Sequence, residues 1–74
     1  MINEELRQQK LAFLRRNWMK YDLSNYPWDL GPHHMDGVHI KPIVEDMKKE
    51  GLYSMSTKWF DVGVRRLIEE IQRG

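Results

Sequence analysis

Cysteine is absent from these 74 residues. That excludes a disulfide framework, a thiol nucleophile and a thiolate zinc site together. Long apolar runs are missing too. None approaches the roughly 20 residues that span a bilayer, and no basic-then-apolar leader precedes a cleavage site, so no membrane association is expected. A strong excess of one charge is also lacking: 12 Lys and Arg stand against 11 Asp and Glu, for a net +1. That is far from the basic patch of a protein whose affinity rests on phosphate contacts. No serine or threonine sits in a glycine-flanked strained turn, and there is no glycine-rich phosphate loop or carboxylate pair in an apolar setting. No enzyme activity and no cofactor are therefore expected. A chain of this size without disulfide or evident structural metal fits a reducing, cytoplasmic compartment. It also invites a partner or a second copy to complete its core.

What is present suits one folded domain over residues 1–74. Two-fifths of the chain is hydrophobic and 31% charged, which argues against wholesale disorder. The charge is unevenly placed. Residues 1–21 hold five cations against Glu4 and Glu5, whereas residues 22–40 hold only Asp22, Asp29 and Asp36. A moderately basic start thus precedes an acidic middle.

That middle, residues 24–42 (SNYPWDLGPHHMDGVHIKP), contains all three prolines and all three histidines. Residues so restrictive and so permissive in φ cannot continue a helix. Yet Tyr26, Trp28 and Leu30 alternate through it, unlike a passive Gly/Ser linker. An ordered loop carried by helices is expected, and such loops carry function.

Helical periodicity flanks it. The first helix is predicted from Asn3, a suitable N-cap, to Tyr21, with Leu11, Leu14, Trp18 and Tyr21 on one side and Leu6 and Phe13 beside them. Tyr26 should be extended ahead of Pro27. A short second helix should carry Pro42 in its first turn, bury Ile40, Ile43, Val44 and Met47, and stop at Gly51. A third should run from Thr57 to Arg73, with Phe60, Val64, Leu67 and Ile71 as its seam and Trp59 and Ile68 widening it. Gly63, inside that helix, would mark the close approach of another helix. Met19, Met35, Met47 and Met55 read as gap-fillers. The expected class is all-α, a compact three-helix domain with long terminal helices. The alternative is α+β and winged-helix-like, with Val38 and Ile40 in a short strand against residues 52–55.

Three constellations could carry function. His33, His34, Asp36 and His39 could contact a metal, but their spacing matches no ligand motif, and a reading as turn residues is preferred. Helix, Gly51 turn and helix resemble a helix-turn-helix, which implies nucleic-acid contacts from Ser56, Thr57, Lys58, Asp61 and Arg65. Against it, Asp46 and Glu50 fall where such units bury apolar side chains. Pairs such as Arg65–Glu69 and Arg66–Glu70 also suit a solvated face. The third constellation is a protein-binding surface of Tyr26, Trp28, Leu30, His33 and His34, types common at interface centres; in the competing reading Trp28 folds back as a lid over the core. One short run, QQKLAF at residues 8–13, resembles the Gln-x-x-Leu-x-Phe peptide with which bacterial proteins dock on the replicative sliding clamp. That peptide binds extended, whereas this run lies in a helical pattern, so the match is taken as coincidence.

The preferred reading is a small non-enzymatic regulator that inhibits or adapts a larger protein partner, the class to which phage-encoded inhibitors of host replication or transcription belong. The alternative is a small helix-turn-helix DNA-binding regulator. A homodimer through Trp59, Gly63 and Ile68 is expected.

Overall fold

A computed structural model describes residues 4–28 and 37–74. They form three α-helices, α1 (Glu4–Arg16), α2 (Gly37–Lys49) and α3 (Val64–Arg73), and two short 3₁₀ turns, Leu23–Asn25 and Trp59–Asp61. The protein is all-α. No strand occurs among the described residues, so the two-stranded alternative is corrected: Val38 and Ile40 are helical and residues 52–55 form turns. Asn3 lies outside the described residues.

In α1, Glu4 and Glu5 stand at the positive end of the helix dipole and Arg15 and Arg16 at the negative end. Leu11, Phe13 and Leu14 are buried. Phe13 is central to the core instead of flanking it, because its ring stacks on Tyr21 with centroids 6.1 Å apart. The regular helix ends at Arg16, but helical turns continue to a defined stop. Leu23 N–H donates to Trp18 C=O at 3.1 Å, Asp22 N–H to Met19 C=O at 3.3 Å, and Asp22 has φ 55°. This is a Schellman closure with aspartate in the left-handed position that glycine usually takes.

The same closure ends α2. Leu52 N–H reaches Met47 C=O at 2.9 Å, Gly51 N–H reaches Lys48 C=O at 3.0 Å, and Gly51 has φ 75°. Here the expected glycine stop holds. The beginning of α2 differs from expectation. It starts at Gly37, so Pro42 lies inside the helix and leaves the Val38 carbonyl without its i+4 donor. Burial outweighs that loss: Ile40, Ile43, Val44 and Met47 recur at helical spacing and are all fully buried.

The third helix is shorter than predicted. Lys58 and Val62 are extended, at φ/ψ −82°/136° and −90°/151°, and Gly63 is the residue before α3. Phe60 leaves the predicted seam and is 56% exposed, while Val64, Leu67 and Ile68 are buried. The close approach assigned to Gly63 is at Gly37 instead. A Cβ on Gly37 would meet the Trp59 ring at 2.7 Å, whereas nothing lies within 4 Å of one on Gly63. Trp59 therefore crosses the start of α2, and that contact replaces another turn of helix.

One buried cluster joins all three helices with Tyr21, Leu23, Trp28 and Leu52. Helix α1 packs on α3, and α2 packs on the Trp59–Asp61 turn. Ion pairs lie around this core: Arg7 with Glu70, and Arg16 with Glu50 at 3.1 Å. Glu70 thus engages α1 instead of Arg66. Of the expected gap-fillers, Met47 is buried, but Met19 and Met55 are 85% and 74% exposed.

Candidate functional site

The Pro/His/aromatic segment is the first place to look. Leu30, His33, His34 and Asp36 lie outside the described residues, as does the loop's expected order across them. Tyr26 is half-buried and extended, as expected ahead of proline. Its hydroxyl donates to Glu69 at 3.5 Å and its carbonyl accepts from Gln72 Nε2 at 2.8 Å. Trp28 is only 5% exposed. Its indole N–H donates to Asp22 C=O at 2.9 Å, it meets Tyr26 edge-on at 5.2 Å, and it stacks on His39 at 4.3 Å with the rings 8° from parallel. Trp28 is folded back as a lid over the core, where the turn closed by Asp22 offers its N–H a part-buried carbonyl. The same stack covers one face of the His39 ring. Among the described residues no group of three or more His, Asp or Glu side chains is placed to hold a metal.

The helix-turn-helix surface does not assemble as expected. Residues 50–63 separate α2 from α3, where such a unit has a turn of three or four residues. Ser56, Thr57 and Lys58 belong to this connection and only Arg65 to a helix. Ser54 organises the local turn: its hydroxyl contacts Ser56 Oγ at 3.0 Å, and its carbonyl accepts from Thr57 N–H at 3.0 Å.

The connection itself forms the most distinctive surface. It is longer than most helix–helix links, and long ordered links are commonly functional. Lys48 fastens it. This side chain is 9% exposed, and its ammonium donates to Met55 C=O at 3.3 Å and stands 3.7 Å from Glu45. Three aromatic rings follow along the connection, each with a lysine over it. Lys10 of α1 lies 4.2 Å from the Tyr53 centroid, Lys41 of α2 5.4 Å from Trp59, and Lys58 5.9 Å from Phe60. Trp59 and Phe60 meet edge-on at 5.7 Å, so the buried contact of Trp59 with Gly37 braces the exposed ring of Phe60. Burial holds the Lys10 ammonium below its ordinary pKa and pushes the Tyr53 phenol up. Among the described residues no carboxylate lies within ion-pair distance of Lys10, Lys41 or Lys58, nor of Arg15, Arg66 or Arg73, whereas Arg7, Arg16, Lys20, Lys48 and Lys49 each have one.

Of this group the sequence points to Lys58, for nucleic acid, and to Trp59, for a dimer seam. A signal for Phe60 was present. Adjacent aromatics point about 100° apart on a helix and cannot share a narrow seam, and Val62–Gly63 follows them as a weak helical pair. Lys10 and Lys41 are distant in sequence and join the rings only through folding. No family model matches this chain, and no curated protein or solved structure is significantly similar to it.

Proposed function

We propose that this chain is a non-enzymatic docking protein that inhibits or adapts a larger protein in the cytoplasm through the 53–60 connection. One observation carries the reading. Phe60 is 56% exposed, yet it is held by a partly buried tryptophan on an ordered connection. A large ring kept in water forgoes roughly 1.5–3 kcal/mol of burial. Large aromatic side chains are among the residue types enriched at interface centres. Among the described residues no helix is long and apolar enough to cross a membrane.

The test is affinity capture from lysate of the source cell with the tagged chain and its Phe60→Ala variant. Phe60 is the residue to change, because Trp28→Ala would empty part of the core. The wild type should retain a protein that Phe60→Ala loses, with unchanged helical circular dichroism. Retention of the same protein by the folded variant would remove Phe60 from the interface. A salt-sensitive shift of duplex DNA with no captured protein would replace the reading by DNA binding.

A further inference from the structure

We infer that the surface docking on the 53–60 connection is an acidic protein segment bearing an apolar side chain. This rests on the docking reading above and states the chemistry of its partner. Lys10, Lys41 and Lys58 arrive from α1, α2 and the connection itself, and each stands over a different ring of one connection. None has a carboxylate within ion-pair distance among the described residues. A cation over an aromatic face keeps its charge while the ring attracts it. The rings thus position three ammonium groups without neutralising them. Side-chain carboxylates on a partner complete each pair, and the exposed Phe60 ring takes the partner's apolar group.

Single-stranded nucleic acid also pairs aromatics with cations, but it needs open ring faces in register for successive bases. Here the lysines occupy faces of the rings, and Trp59 and Phe60 stand 87° apart. Carboxylates in a protein segment can reach the ammonium groups while the rings stay in place. The geometry favours the acidic segment.

The experiment is an amide-resolved NMR titration of the full chain with three probes. They are a short blocked peptide of Asp and Glu around a central Leu, the same peptide with Lys replacing the acids, and a short oligothymidylate. The acidic peptide should shift amides of residues 53–61 together with Lys10 and Lys41, more weakly as sodium chloride rises. The double variant Lys41→Gln/Lys58→Gln, whose side chains are exposed, should keep the fold and bind the acidic peptide about fivefold more weakly. Equal shifts from the lysine peptide, no loss in the double variant, or binding of oligothymidylate alone would each overturn the acidic assignment. Capture of a protein that depends on Phe60 would still stand in those cases, so failure of the acidic assignment and failure of the docking reading are separable.

Discussion

At the residue scale, Tyr21 shows how a polar tip is accommodated at the edge of a small core. Its ring is buried against Phe13, and its hydroxyl donates to Asp46 on α2, where Lys20 approaches to 3.5 Å. Burial and then the Asp46 bond push the Tyr21 pKa up, while the Tyr21 bond is the main cause that holds the Asp46 carboxyl below its ordinary value. A carboxylate with a depressed folded pKa contributes stability that is present above its unfolded value, about 3.9, and lost as pH falls through the folded value. Tyr21→Phe should therefore lower stability by about 1 kcal/mol at pH 7. The difference from wild type should close as pH falls from about 4, the unfolded value, down through the lower value at which folded Asp46 takes up its proton. Denaturant melts across that range check it; a difference unchanged at low pH would mean the hydroxyl acts through packing instead of through the charge.

Elements are decided at their ends. Both α1, through its added turns, and α2 stop with a Schellman closure, yet one uses Asp22 and the other Gly51 at the left-handed position. Both ends were legible in the sequence, but only Gly51 as the residue that takes the left-handed position; that Asp22 does so after Tyr21 was not. Gly63 was misplaced because the predicted seam through Phe60 looked continuous; burial of Trp59 against Gly37 overrode it. Two substitutions separate these glycines. Gly51→Ala should cost about 1 kcal/mol through φ alone, since open space surrounds the position. Gly63→Ala, at φ −84°, should change stability by about 0.5 kcal/mol or less. Thermal midpoints report both, and equal losses at the two positions would contradict this assignment of helix ends.

For the whole molecule, the core and the surface compete for too few apolar residues. The expected dimer seam of Trp59, Gly63 and Ile68 does not form as a surface. Ile68 is fully buried within its own chain, and Trp59 is half-buried over Gly37. Removing a buried Ile side chain costs about 2–5 kcal/mol, comparable to the roughly 3–5 kcal/mol that a core of this size supplies. Ile68→Ala should therefore unfold the chain, with loss of helical circular dichroism at 37 °C. The wild type should scatter light as a 9.0 kDa species on concentrating. A folded Ile68→Ala monomer from a dimeric parent would return Ile68 to an interface.

The sequence by itself determined the all-α class, the apolar stripe of α2, most of the α1 face, and the stops after Tyr21 and at Gly51. Each follows from local spacing or from the φ preference of one residue, information that neighbours in the chain carry. Tertiary structure decided the rest. Trp28 turned inward because a carbonyl and the His39 ring were available beneath it, and α3 began late because Trp59 found Gly37. The three lysine–ring pairs bring together residues as far apart as Lys10 and Tyr53, and no local pattern encodes such an encounter. A cation over a ring leaves no periodic trace in either helix, so this surface became visible only once the helices were packed.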